Sequence, residues 1–297
     1  MANVSQIPFS VFGELFSGVR EASARRRACV RVVVEVDPSA SLELVRALKR
    51  ALMPETPLGL VHVAAVGEPR VRINPDADLA LVVVGERAEA CEGVARAFAG
   101  QGVPCALVVE SALEVEEPER LGQGVALVAA ADEAALLEKL AEWMCVSCAH
   151  DVALAENFPF VRRTVTRRLV RSKAAQNAAL GLLPFGSGAD LPLMTVNQAL
   201  MALDIAGAHG GGAEPARLAE LGLVGVAAVA SRGVARKLAP KVPGLGWLVR
   251  GTVAWGGTVL VGSALAVWHQ LAKRTTTSME NTSITPPFSV DECDTLA

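Results

Sequence analysis

Five short runs of apolar, mostly β-branched residues recur along the first half of this chain and constrain its fold more than any other feature. They lie at 30–36, 60–66, 78–85, 105–111 and 125–130. Helical patterns separate them, as in the spacing of Leu42, Val45, Leu48 and Leu52. Strands that alternate with helices of about 10–15 residues form a mainly parallel sheet covered on both faces. The sequence therefore predicts an α/β, Rossmann-like domain over residues 28–150.

The turn after the first predicted strand lacks the residues that hold nucleotide phosphates. A phosphate-binding loop needs glycines for close backbone approach and a lysine for the terminal phosphates, and EVDPSAS at 35–41 has neither. Asp78 stands at the start, not the end, of a Walker B-like strand, and Glu110 and Ser111 occupy the place of a guanine-reading Asn-Lys pair. The pattern indicates a degenerate GTPase-like domain, so we expect no cofactor and no enzymatic activity. A degenerate NTPase that a partner completes is the enzymatic alternative.

Cysteine usage predicts neither a disulfide scaffold nor a metal site. Six cysteines in 297 residues, with no recognisable secretory signal, are untypical of disulfide-rich secreted domains. Cys145 and Cys148 form a CxxC pair, but no second pair supplies the other ligands of a tetrahedral zinc. The pair also falls at a predicted helix end, whereas redox dithiols sit at a helix start. We interpret both cysteines as small apolar helix residues.

The second half of the chain is far more apolar. Residues 174–269 contain only ten charged side chains, and GTVAWGGTVLVGSALAVW at 251–268 contains none. Eighteen uncharged residues just reach the length of a membrane-spanning helix. Residues Ala254, Thr258, Gly262 and Ala266, four apart, add a small-residue face of the kind that lets membrane helices approach closely. The sequence predicts an all-α hydrophobic domain over 174–272 that is membrane-associated, with a soluble helical bundle as the alternative.

Charge is strongly segregated along the chain. Residues 1–150 carry a net charge of −7, residues 151–274 carry +8, and the last 23 residues carry four acids and no base. A predicted basic connector at 151–173 concentrates six positive charges: Arg162, Arg163, Arg167, Arg168, Arg171 and Lys173. A basic, apolar segment suits an anionic membrane surface. We therefore interpret this basic run as a contact with the membrane surface.

The basic run also predicts an orientation. Positively charged loops stay in the cytoplasm, so we expect a cell-membrane protein whose α/β domain faces the cytoplasm. Nucleic acid is not an expected partner, because aromatic residues make up only 4% of the chain and stacking platforms need them.

Both ends of the chain are predicted to lie outside the two domains. Residues 1–27 contain a short amphipathic segment. It either docks on the body of the protein or anchors the chain to a membrane surface. Residues 273–297 are rich in Thr, Ser, Pro and acids and are predicted to be a disordered acidic tail.

A stripe of polar residues interrupts the apolar helix predicted near residue 200. Its members are Asp190, Asn197, Gln198 and Asp204. In a soluble bundle this stripe is a solvated face, whereas in lipid it must face other helices or water. In the membrane case we expect Asp204 to be protonated or to pair with Arg232 or Arg236. Asp190, before Leu191-Pro192, is also suited to capping the helix.

The segment PFGSGADLPLMTVNQALMALDIAGAHG at 184–210 resembles the YcjF-like family of bacterial membrane proteins, also called domain of unknown function 697. The similar residues are a proline shortly before Asp190, then Leu191-Pro192, Gln198, Met201, Ile205-Ala206 and Gly210, with Pro240, Gly257-Thr258 and Gly262 in a later apolar segment. The likeness covers roughly 170–270. It implies a membrane-associated helical domain often linked to GTPase domains, and it transfers no catalytic residue.

Together these features predict a membrane-bound scaffold or regulatory protein without enzymatic activity. The α/β domain would present a surface to a protein partner, either a GTPase or a second copy of the chain. The absence of a P-loop separates this chain from family members joined to a true GTPase.

Overall fold

The computed structural model describes residues 27–67, 76–115, 121–182, 190–211 and 246–283, together with Arg20 and Ala24. Most of the predicted amphipathic segment at 1–27 and the chain beyond 283 lie outside the described residues.

A five-stranded, wholly parallel sheet forms the centre of the first half of the chain, in the order β2-β1-β3-β4-β5. Its strands and helices are β1 (Val30–Val36), α1 (Leu42–Ala51), β2 (Gly59–Ala65), β3 (Leu79–Val83), α2 (Ala88–Gly100), β4 (Cys105–Val109), β5 (Val125–Ala129) and α3 (Glu133–Ser147). The predicted parallel α/β architecture is therefore confirmed.

The central strands are buried on both faces, as their continuous apolar sequences require. Every residue of β3 and β4 is fully buried. Leu79, Leu81 and Val83 of β3 contribute to one core beneath α1 and α3, while Ala80 and Val82 contribute to a second core beneath α2. Alternate residues of one strand thus enter the two cores, because successive side chains of a strand point to opposite faces.

The predicted connector at 151–173 is not a linker. It forms α4 (Asp151–Asn157), a 3₁₀ turn (Pro159–Val161) and the first half of α5 (Arg162–Leu182). Val161, Val165 and Leu169 lie in the same buried cluster as the strands of the sheet. The boundary predicted after residue 150 is wrong in this respect, because apolar residues four apart place one side of α5 against the core.

Two further helices, α6 (Asp190–Ala208) and α7 (Gly246–Ser283), pack on α5. Contacts pair Gly181 with Arg250 and Val170 with Gly262, so α5 and α7 are antiparallel. Glycines permit this close approach: a Cβ added at Gly262 would lie 2.5 Å from Val170 Cγ2, and one at Gly251 would lie 2.6 Å from Leu182 Cδ2.

Helix α7 continues well beyond the predicted end of the hydrophobic domain. Residues 273–283, predicted to belong to a disordered tail, are its last three turns. Serine and threonine have low helix propensity, but extending an existing helix avoids the cost of a new nucleus.

Candidate functional site

The carboxyl ends of β1 and β3 form the place where open α/β sheets of this strand order bind ligands, since the chain leaves these strands toward opposite faces. Here that crevice contains an ion pair. Asp37, directly after β1, is 1% exposed and accepts hydrogen bonds from Arg87 Nε at 3.0 Å and Arg87 Nη2 at 2.8 Å. The backbone N–H groups of Arg87 and Ser39 also donate to its carboxylate, at 2.9 and 3.3 Å.

These donors stabilise the ionised form of Asp37. Burial alone would raise the pKa of this carboxyl, but the hydrogen bonds from Arg87 and Ser39 outweigh burial and hold the pKa at about 2. Arg87 Nη2 also donates to Val66 O at 3.2 Å, just after β2. The guanidinium therefore connects the carboxyl ends of three adjacent strands.

The two loops at this crevice touch each other directly. A Cβ added at Gly85 would lie 2.5 Å from Ser39 Oγ and 2.6 Å from the Ala40 backbone nitrogen. The Glu86 N–H donates to Ser39 Oγ at 2.9 Å. Protein atoms therefore fill the space between these two loops, and we name this arrangement of Asp37, Ser39, Gly85 and Arg87 the closed crevice.

A separate charged cleft of about 310 Å³ lies beside the carboxyl ends of β4 and β5. Its charged lining consists of Glu43, Arg46, Arg50, Glu110, Asp132 and Glu133. Arg50 and Glu133 pair across it at 2.7 Å, and Asp132 Oδ1 accepts the Ala135 N–H at 2.8 Å as the cap of α3. Small-molecule pockets are mostly apolar, so this mixed-charge cleft is a poor candidate for one.

The six residues of the predicted basic run do not share one environment. Arg162 is only 9% exposed, and its guanidinium forms a bidentate ion pair with Glu55. Its Nε donates to the carbonyls of Ala155 at 2.9 Å and Ala208 at 3.0 Å, and its Nη2 donates to Glu156 O at 3.0 Å. Arg162 thus connects three parts of the fold: the loop that follows α1, helix α4, and the end of α6. Its assignment to a membrane surface is therefore wrong.

The other members of the run lie nearer to solvent. Arg163, Arg167, Arg168 and Arg171 are exposed, and Lys173 is half-buried. Arg168 Nη1 donates to Cys145 O at 3.2 Å, which holds it against the end of α3. Arg163, Arg167 and Arg171 are four apart, so they form one row along α5, which we name the arginine row.

Two residues of the predicted polar stripe meet side chains of other helices. Gln198, 4% exposed, donates through Nε2 to Thr258 Oγ1 of α7 at 3.1 Å. Asn197 donates through Nδ2 to Asn177 Oδ1 of α5 at 2.8 Å, and Asn177 Nδ2 donates to Thr258 Oγ1 at 2.8 Å. Asn177, Asn197, Gln198 and Thr258 therefore form a hydrogen-bonded polar layer between three helices.

Asp190 and Asp204 are the other two residues of the predicted polar stripe. Asp204 is 1% exposed, so neither it nor Gln198 lies on a solvated face. Asp190 is the first residue of α6. Arg232 and Arg236, the predicted partners of Asp204, lie outside the described residues, and their pairing stays a prediction.

The outer face of α7 is apolar and exposed. Leu260 is 73% exposed, Val267 54%, Trp268 64% and Leu271 55%. Leu248–Ala272 is long and apolar enough to cross a membrane, and 28% of its most apolar window is buried in the protein. The inner face, including Thr258, Val261 and Leu265, packs on α5 and α6.

Cys145 and Cys148 are buried in the core beneath α3. Burial raises the pKa of both thiols, that of Cys148 to about 11. Both side chains are therefore thiols at neutral pH and pack as small apolar groups.

No protein-family model, curated protein or solved structure matches this chain. The resemblance of residues 170–270 to the YcjF-like family therefore depends on the quoted residues alone.

Sequence reasoning missed the closed crevice, the role of Arg162 and the participation of Asn177. Asp37 and Arg87 are 50 residues apart, and no local pattern connects them. For Arg162 a signal did exist: the apolar residues Val161, Val165 and Leu169 alternate with the arginines at helical spacing.

Proposed function

We propose that this protein is a membrane-associated scaffold in bacteria whose α/β domain faces the cytoplasm and presents a surface to a protein partner. The exposed apolar face of α7 is the observation that carries this proposal. The core helix of a soluble protein buries most of its apolar surface, whereas α7 leaves Leu260, Val267 and Trp268 more than half exposed. Burial in lipid gains roughly 1.5–3 kcal/mol for each large apolar side chain that is fully removed from water.

The closed crevice supports a function without nucleotide chemistry. A phosphate group would have to displace Arg87 from a buried carboxylate and separate two loops that are in van der Waals contact. Breaking a buried ion pair is costly, because it leaves an uncompensated charge. We therefore interpret the sheet as a degenerate, GTPase-like, Rossmann-like domain that acts as a binding platform rather than an enzyme.

Strand β2 offers a surface for the protein partner. It is the edge strand next to β1, and in the described part of the chain no strand pairs with its outer side. Leu60 is 49% and Val63 61% exposed, and the strand carries no charged residue or proline that would block pairing. A GTPase, as the resemblance implies, or a second copy of this chain would meet the sheet here.

Cell fractionation tests the membrane proposal. We expect the full-length protein to pellet with membranes and to stay there in high salt, because burial in hydrocarbon does not depend on counter-ions. Leu260→Glu with Val267→Glu should move the protein to the soluble fraction. Leu113→Glu is the matched control, since Leu113 is a 91% exposed apolar residue of the α/β domain. A parent protein found in the soluble fraction would refute the proposal.

A further inference from the structure

The arginine row lies beside the carboxyl-terminal half of the apolar segment of α7. Helix α5 runs antiparallel to α7, with Gly181 against Arg250 and Val170 against Gly262. Counting along both helices from these contacts places Arg171, Arg167 and Arg163 close to the levels of Val261, Leu265 and His269. The row therefore accompanies α7 through the middle and end of its apolar segment.

The arginine row is also on the side of α5 that α7 occupies. Arg163 precedes Val170 by seven residues, and Arg171 precedes Ala178 by seven, so each shares a face with its later neighbour. Val170 approaches Gly262 of α7, and Ala178 O lies 3.3 Å from the position of a Cβ at Gly251. The three arginine positions thus lie on the side of α5 that borders α7.

These arginines are available for an external anion. Arg163, Arg167 and Arg171 are exposed, and no acidic side chain of the described residues pairs with them. Between Arg250 and Lys273, α7 itself carries no acidic or basic residue other than His269. The α5–α7 pair therefore presents an apolar strip with a basic border along one side.

A membrane-spanning arrangement conflicts with this geometry. If α7 crossed the bilayer while packed on α5, the levels of Val261 and Leu265 would lie within the hydrocarbon, and so would Arg171 and Arg167. Charged side chains at such a depth are strongly disfavoured. An apolar strip with a basic border is instead typical of elements that lie in the membrane interface.

We propose that α7 lies along the membrane surface without crossing it, with its outer face among the lipid chains and the arginine row on the phosphates of anionic lipids. This inference rests on the proposed membrane function and specifies its mode. Leu260 and Val267 would enter the outermost part of the hydrocarbon, and Arg163, Arg167 and Arg171 would contact headgroups along the same line.

Vesicle binding tests the role of the arginines. The full-length protein is mixed with phosphatidylcholine vesicles that either contain or lack phosphatidylglycerol, and bound protein is measured by flotation. We expect Arg167→Gln with Arg171→Gln to weaken binding to the anionic vesicles about 25-fold, since each basic residue near the surface contributes roughly a factor of five. Arg46→Gln with Lys49→Gln removes the same charge from exposed positions of α1 and should change binding less than twofold.

Depth measurement separates the surface arrangement from a spanning one. Leu260→Cys, in a background with Cys29→Ser and Cys293→Ser, is labelled with a fluorophore and quenched by lipids that carry a nitroxide near the headgroup or near the chain end. We expect the shallow nitroxide to quench more strongly, because a surface helix enters only about 5–10 Å. A spanning helix would place residue 260 near the bilayer centre, where the deep nitroxide quenches better.

The outcomes distinguish the two proposals. A parent protein that binds neither vesicle refutes the membrane function and this inference together. Binding with deep quenching, or binding that the arginine substitutions leave unchanged, refutes only the surface arrangement and leaves the membrane function in place.

Discussion

The closed crevice makes a prediction about stability that depends on which partner of the ion pair is removed. The side chain of Asp37 is fully buried, whereas that of Arg87 is 47% exposed. Without Asp37, Arg87 can turn into water. Without Arg87, the Asp37 carboxylate stays buried and keeps only uncharged donors: two backbone N–H groups, the Ser39 hydroxyl and the Cys91 thiol. Arg87→Ala should therefore be more destabilising than Asp37→Asn.

The loss of stability expected for Asp37→Asn follows from the pKa of Asp37. A fall from 3.8 to about 2 corresponds to roughly 2.5 kcal/mol of stability at neutral pH. Because the folded pKa is the lower one, this contribution is present above pH 3.8 and is lost as the pH falls through 2. We expect Asp37→Asn to cost about 2 kcal/mol at pH 7, and Arg87→Ala about 3–5 kcal/mol because it leaves a buried charge.

The pH dependence of the stability of Arg87→Ala is a second, independent test of this account. In Arg87→Ala, the largest effect that lowers the pKa of Asp37 is lost while burial still raises it, so this pKa should rise. Protonation then removes the uncompensated charge at mildly acidic pH. The deficit of Arg87→Ala relative to the parent protein should therefore shrink between pH 7 and pH 3.

Two measurements check this reasoning on the full-length protein in nonionic detergent. Hydrogen exchange of peptides that cover β1 and β3 reports the free energy of opening of the sheet itself. Thermal unfolding followed by circular dichroism at several pH values reports the pH dependence. Equal losses for the two variants, or a deficit of Arg87→Ala that is constant with pH, would refute the account of the crevice.

Three further predictions concern other parts of the molecule. Arg162→Ala should cost about 2–4 kcal/mol in thermal unfolding, because carbonyls of Ala155 and Ala208 lose their donor, and Arg162→Lys should restore only part of it. Calorimetric titration with Mg-GTP or Mg-ATP should show no saturable binding at micromolar concentrations, and a saturable isotherm would favour a degenerate NTPase. Protease added outside spheroplasts should leave residues 1–150 intact, and their digestion would contradict a cytoplasmic α/β domain.

The sequence predicted the parallel sheet well because the information for it is local. Strands such as Leu79–Val83 are continuous apolar runs, and alternation with helices leaves few topologies. The observed strands begin or end within two residues of the predicted ones, as with Gly59–Ala65 for 60–66.

The candidate site was less predictable because its contacts join distant parts of the chain. The six residues of the basic run share the sign of their charge, but burial separates Arg162 from Arg163, which is its immediate neighbour. Gln198 and Thr258 belong to separate sequence patterns, the polar stripe and the small-residue face. Only the packing of α6 against α7 brings them together, and Asn177 had no sequence signal of its own.

The polar layer provides a last prediction, which concerns the hydrogen bond between Gln198 and Thr258. Thr258→Val and Gln198→Met both remove this bond, but we expect them to change stability differently. Thr258 is fully buried, and its Oγ1 accepts from Asn177 Nδ2 and Gln198 Nε2. Thr258→Val keeps the shape of the side chain but leaves two buried donors without this acceptor, at about 1–3 kcal/mol each. We expect a loss of roughly 2–6 kcal/mol, and Thr258→Ser should lose far less because it retains the hydroxyl.

Gln198 is in a different position, because its Oε1 is buried and has no hydrogen-bond partner among the described residues. Gln198→Met gives up one hydrogen bond of about 1 kcal/mol but also removes a buried oxygen that costs about 1–3 kcal/mol. The variant should therefore be neutral or more stable than the parent protein in thermal unfolding. In Thr258→Val, adding Gln198→Met should recover part of the loss, because it removes one of the two orphaned donors. If Gln198→Met is as destabilising as Thr258→Val, the amide oxygen is satisfied in the folded protein and the layer is held together by more than these four side chains.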